Sequence, residues 1–201
     1  QTILTARAHM RKEEKESLKK GEAPSHWSEK QMSHKDTDAQ WTVKHGKAYH
    51  GFKAHVNGDQ KHKLIRVVKV TPANKSDTNH LEPVLDKSEG RNETGSTVFA
   101  DRGYDSKSNR DIVKSNGLRD GIMRKDDRQR YDQSKIRKRN QLLSKVRVRV
   151  EHIFGSWEKV IGKKVRCVGL TRANAQITVQ AIVYNLRRWV SLAGINPSAV
   201  S

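Results

Sequence analysis

The clearest pattern in the chain lies in its last third, where Leu143, Val146, Val150, Ile153, Trp157 and Val160 fall three or four residues apart. That spacing gathers apolar side chains on one face and predicts an amphipathic helix over about residues 134–161, packed on a sheet. A second long helix is expected over about 171–192, burying Ile177, Ala181 and Tyr184. Trp157 and Trp189 fall on the apolar faces of these helices and are expected in the core. Upstream the periods shorten. Residues 48–57 and 63–71 are β-prone runs separated by Gly58-Asp59, which predicts a hairpin ended by Pro72. Asp77 is placed to cap a helix carrying Leu81, Val84 and Leu85. Thr97-Val98-Phe99-Ala100 reads as a short buried strand, residues 106–115 as a helix, and Gly121-Ile122-Met123 as a last strand. The order of hairpin, helix, strand, helix, strand and long helix is that of an α/β layered domain.

Two stretches stand apart. The chain opens on a β-prone run, Thr2-Ile3-Leu4-Thr5, which reads as part of a strand. Residues 7–47 are highly charged, poor in aliphatic side chains, and carry Gly21, Pro24 and Gly46. Such a composition buries little surface, so a long basic loop with short helical pieces is expected, either contacting DNA or forming a disordered insertion. No internal repeat is visible. The length, 201 residues, suits one domain, expected over residues 1–195.

Charge narrows the function. Lys and Arg number 41 against 22 Asp and Glu, a formal net charge of +19, and a partner with dense negative charge is implied. Basic residues run through the chain, at 12–20, 124–139, 145–149 and 187–188, so the charge belongs to the folded body. The longest apolar runs, such as 177–186, are interrupted by polar residues and fall short of a bilayer span. Cys167 is the single cysteine, which excludes an internal disulfide and a cysteine-based zinc site. A cytoplasmic, nucleoid-associated setting is expected.

Two carboxylates are candidates for chemistry. Asp101 follows a four-residue apolar run and precedes a glycine-containing turn, at the carboxyl end of a strand, where open α/β sheets place ligand sites. Glu151 adjoins Val150 at the edge of the long helix's apolar stripe. The plainer alternatives are a turn acid at 101 and an ordinary ion pair of Glu151 with Arg147 one helical turn earlier. Carboxylates on a basic chain suit magnesium, which takes hard oxygen ligands. Two such ions about 3.5–4 Å apart can clamp both oxygens of a phosphoryl transfer. His45, His50 and His55 are five apart and alternate faces on a strand, which argues against a shared metal.

Several strings together resemble one family. Phe99-Ala100-Asp101-Arg102-Gly103-Tyr104, the run from Arg147 through Glu151 to Gly155, His50-Gly51-Phe52-Lys53-Ala54-His55, and Thr71-Pro72-Ala73-Asn74 with Asp77 are similar to bacterial insertion-sequence transposases with an Asp-Asp-Glu triad. Asn174-Ala175-Gln176 and Tyr184-Asn185-Leu186-Arg187-Arg188-Trp189 fit as well, so the resemblance covers nearly the whole chain. It implies a ribonuclease H-like mixed sheet flanked by helices. It also implies Asp101 and Glu151 as catalytic ligands of two Mg2+ (or Mn2+) ions. Lys53, Arg102, Arg147 and Lys159 are then the expected DNA contacts, and His152 orients its neighbour Glu151.

The chain departs from the family pattern in places. Ser144 stands where a Tyr is usual, and Glu158 stands where a Lys is expected, with Lys159 one step on. Gln1-Thr2 matches the residues that follow the family's first acid, so that Asp is expected just before Gln1 and the chain alone is expected to be inactive. Asp36, Asp38 and Asp59 are internal alternatives in loop or turn positions. The implied activity is cleavage at element ends and transfer of the 3′ hydroxyl into target DNA. The implied partner is double-stranded DNA, with the chain as a homodimer when bound. An N-terminal module for recognising element ends is not expected within this chain. A non-catalytic basic nucleic-acid-binding protein and a structure-selective nuclease are the competing readings.

Overall fold

The computed structural model describes residues 2–6, 11–19, 24–86, 96–125, 132–162 and 164–194. The alternating run around Phe52 forms the longest strand, β3 (Lys47–Gly58). β1 (Thr2–Thr5) lies antiparallel along one side of it, and β2 (Gln40–Lys44) and β4 (Ile65–Pro72) lie antiparallel along the other. Gly51 pairs with both Thr5 and Gln40, and Phe52 with both Leu4 and Pro72, so β3 is the sheet's centre. A second, two-stranded sheet pairs β5 (Thr97–Ala100) in parallel with β6 (Arg119–Ile122). Between them runs α3 (Lys107–Ser115), started by the Ser106 side chain accepting from Asn109 N and ended at Asn116 before Gly117, whose φ is +70°.

The two long helices close the structure. α4 (Gln133–Ile161) starts on Asp132, whose carboxylate accepts from Ser134 N, and α5 (Leu170–Leu192) starts where Asp38 Oδ2 accepts from Leu170 N at 2.8 Å. Ile153 and Trp157 of α4 and Ala173, Ile177 and Ala181 of α5 meet Leu4, Phe52, Ala54 and Val70 in the main core. A smaller core joins Leu81, Ala100, Tyr104, Val113, Leu118 and Ile122. α5 also satisfies the free edge of β4, as Asn174 Oδ1 accepts from Val70 N and Asn185 bonds both N and O of Ile65. Side-chain amides here do what another strand would do.

Three expectations need correction. The segment 7–47 carries α1 (Lys12–Lys19), α2 (Glu29–His34) and β2, so its C-terminal end belongs to the main sheet. The helix capped by Asp77 is instead two short 3-10 turns, Asp77–His80 and Glu82–Val84, and Ser76 precedes the first without a side-chain cap. Pro83 lacks the amide that a continuous helix needs. Trp189 is 60% exposed, whereas Trp157 is buried as its spacing implied. Val160 and residues 7–10 and 20–23 lie outside the described side chains. No described helix is long and apolar enough to cross a membrane.

Candidate active site

Strand β5 delivers Asp101 to the mouth of a cleft of about 1040 Å³. Its Oδ1 accepts from Gly103 N at 2.9 Å and starts the turn Arg102–Tyr104, so the turn-acid reading is correct for one oxygen. The other oxygen faces α4. There Arg147 Nη2 lies 3.8 Å from Asp101 Oδ2 and 3.8 Å from Glu151 Oε1, which places one guanidinium between the two acids. Arg147 Nη1 donates to Met123 Sδ at 3.1 Å, which holds the guanidinium in line with the end of β6. Glu151 is 63% exposed and Asp101 28%, so the helix acid is the freer of the pair.

A third carboxylate borders the cleft, one that the spacing had assigned only to capping. Asp77 Oδ1 accepts from Lys53 Nζ at 3.2 Å, and Lys53 also donates to Lys75 O at 2.9 Å. A Cβ added at Gly103 would stand 2.9 Å from Asp101 Oδ1 and 3.0 Å from Asp77 Oδ2, so the Gly103 backbone is wedged between two carboxylates. Thr78 Oγ1 donates to Gly103 O, and the buried Asn109 amide donates to Thr78 O and Tyr104 O, tying the two turns together. The signal in the sequence was the Thr71–Asn74 string with Asp77, which carries no physical statement of what Asp77 touches.

Beneath these turns lies a buried polar chain. His55 Nδ1 meets Tyr104 Oη at 3.0 Å and His55 Nε2 meets Thr71 Oγ1 at 3.1 Å. Burial, helped by the neighbouring His80, lowers the His55 pKa to about 3, so the ring is neutral. Burial and the charges of Asp101 and Asp77 push the Tyr104 phenol up, and it stays protonated. The turn that carries Asp101 therefore rests on neutral, hydrogen-bonded groups.

The remaining expected residues divide. Arg102 lines the cleft with Asp77, Asp101, Arg147 and Glu151, and Thr2 of β1 reaches it too. Lys53 is only 12% exposed and is held by Asp77, not by the cleft surface. His152 borders a different depression, one residue round α4 from Glu151, and Glu158 lines the cleft where Lys159 does not. Asp36, Asp38 and Asp59 serve backbone amides: Ala39 N, Leu170 N and His62 N respectively. Among the described residues no three His, Cys, Asp or Glu side chains gather closely enough to hold a metal.

Comparison with known proteins bears on this arrangement. The family model described as a transposase DDE domain matches residues 17–186. The transposase for insertion sequence element IS1106 of Neisseria meningitidis serogroup B is 39% identical over 153 residues, 76% of this chain and 51% of that relative. The chain thus spans about half the length of the curated relative it matches. No solved structure matches it. With Asp101 and Glu151 inside the matched span and the match running through most of its length, this chain belongs to the transposase DDE domain family.

Proposed function

We propose that this domain cuts DNA at the ends of a mobile element and transfers the freed 3′ hydroxyl into target DNA, with Asp101 and Glu151 as its metal-binding carboxylates. The observation that carries this reading is the guanidinium between the two acids. A cation already stands where two hard oxygen donors converge, at the mouth of a cleft, on a chain of net charge +19. That donor set fits magnesium or manganese, which need few protein oxygens because they keep several waters. When bound, divalent ions supply charge stabilisation to the attacking and leaving oxygens of the phosphoryl transfer.

The chain's own residues do the rest. Asp101, fixed by Gly103 N, offers one oriented oxygen, and Glu151 brings its carboxylate from α4. Arg147 and Arg102 border the same cleft, which supports phosphate oxygens as their partners once a strand enters. The β5–β6 pair, the antiparallel sheet and the packed α4 support a ribonuclease H-like fold, with the acids on β5 and α4. The assembled species on DNA is a homodimer in this reading.

The test is magnesium-dependent joining of a pre-cut element end by the protein that carries this domain, with Asp101→Asn and Glu151→Gln as variants. Losing a metal ligand removes several kcal/mol from the transition state, so each variant should lose at least about a hundredfold in rate. DNA affinity should be equal or higher, since each change removes negative charge beside phosphate. Joining by either variant at the parent rate would refute the assignment.

A further inference from the structure

α4 forms a ridge between two hollows of opposite character. On one side Glu151 and Gly155, four residues apart, line the cleft with the carboxylates. On the other, His152 and Ser156, each the next residue and so about 100° round the helix, line a depression of about 300 Å³. That depression is bordered by Lys63, Arg187 and Arg188, and among the described residues no carboxylate lines it. Its floor is built rather than incidental. Tyr184 Oη donates to Lys63 O at 2.9 Å and Arg188 Nε donates to His62 O at 2.8 Å, so α5 grips the turn between β3 and β4 and holds the Lys63 backbone and the Arg188 guanidinium at the hollow.

The ridge itself is lowered at one point. Gly155 sits in the interior of α4, where glycine weakens a helix relative to alanine. Packing does not require it, because a Cβ there would meet nothing within 4 Å. Its φ is not in the left-handed region either. A helix that gives up stability for a bare patch of exposed backbone, with Ser156 beside it, is suited to close approach by another molecule.

We propose that a strand of duplex DNA leaving the cleft crosses α4 over Gly155 and Ser156 and lays its phosphates in the depression formed by Lys63, Arg187 and Arg188. This rests on the reading of the cleft as the site of DNA cleavage and joining. The chemistry follows the charge contrast: carboxylates for cations on one side, basic groups for phosphate oxygens on the other. With side chains an α-helix is about 10 Å across, which a DNA strand rising about 3.4 Å per nucleotide spans in roughly three nucleotides.

Duplex binding by the 201-residue chain, followed by fluorescence anisotropy from low to physiological salt, tests the path. Lys63→Gln and Arg187→Gln should each lower the salt slope by about 0.9, the counterions of one phosphate contact, while Lys114→Gln on α3 should leave it unchanged. Gly155→Ala should raise the melting temperature by about 2–4 °C. Gly155→Leu should keep the fold but weaken binding about tenfold by raising the ridge. Parent-like slopes in both charge variants, or parent-like affinity in Gly155→Leu, overturn the path while leaving the cleft assignment to its own joining assay. Salt-independent or absent binding by the parent chain would likewise overturn the path.

Discussion

Gly103→Ala is the sharpest single test of how Asp101 is held. The added methyl would lie 2.9 Å from Asp101 Oδ1 and 3.0 Å from Asp77 Oδ2, while ordinary contact begins near 3.4 Å, so one or both carboxylates must move by about half an ångström. Neither moves freely. Asp101 Oδ1 is the acceptor of Gly103 N, and Asp77 is anchored through its other oxygen to Lys53. A lost hydrogen bond to a charged acceptor costs about 1.5–3 kcal/mol, partly recovered by water at this half-exposed position, so a net loss of about 1–2 kcal/mol is expected. In a chain of this size that is a fall of roughly 2–8 °C in melting temperature. The effect on joining should be larger, because misplacing a catalytic group by up to an ångström costs on the order of a hundredfold. Gly155→Ala gives the contrast in melting, since its methyl meets nothing and a rise is expected there. The assays are thermal unfolding and joining of a pre-cut end. A Gly103→Ala protein that melts within a degree of the parent and joins at its rate would refute the wedge.

Two further predictions use different observables. Arg147→Gln removes the cation between the acids, and with surface-type screening each 3.8 Å pair is worth at most about 1 kcal/mol, so manganese affinity measured calorimetrically should rise by roughly threefold to tenfold while joining falls; weaker manganese binding would contradict the placement. His55 carries a folded pKa of about 3 against an ordinary value of 6.5, so between those values the unfolded chain takes a proton that the folded chain refuses. Its contribution is complete above pH 6.5 and falls by about 1.4 kcal/mol per pH unit below it. His55→Phe, though less stable at neutral pH, should lose stability less steeply from pH 6.5 to 4.5 in urea titrations, and an unchanged slope would show that His55 is not the buried base.

The elements that a sequence can announce are those whose period is uninterrupted. α4 and α5 begin and end within a residue or two of where the apolar spacing puts them, and β5 is marked by its apolar run and the Asp101-Arg102-Gly103 stop. β2 was not legible, because Gln40–Lys44 has exposed or half-buried positions throughout and is a strand only through its pairing with β3. Trp189 misled for a related reason. Val179, Ile182, Val183, Leu186 and Trp189 make the outer face of α5 apolar as well, so spacing alone did not say which face met the sheet. Asp101 and Glu151 stood out by position along strand and helix. The Lys53–Asp77 pair joins residues 24 apart, and the His55–Tyr104 contact residues 49 apart, and no local pattern encodes either.

The two acids differ in a way that bears on how the site works. Asp101 is held at its backbone by β5, at one oxygen by Gly103 N, and from below by a turn resting on Tyr104 and His55. Glu151 extends from a helix surface with most of its side chain exposed and one long contact to Arg147. In the proposed reading Asp101 Oδ2 and Glu151 Oε1 would hold divalent metal, and the relevant quantity is the separation of these two oxygens. Twice the 3.8 Å contact is the most that the present arrangement allows, and Arg147 occupies the space between. If the two acids hold metal as proposed, the freer one, Glu151, would be the one to adjust, with Asp101 as the fixed reference and the guanidinium giving way. On that reading a displaced Arg147 would stay at the cleft it lines, where a substrate phosphate would be its counterion. In this reading one arginine holds two like charges together before catalysis and meets the substrate's charge during it.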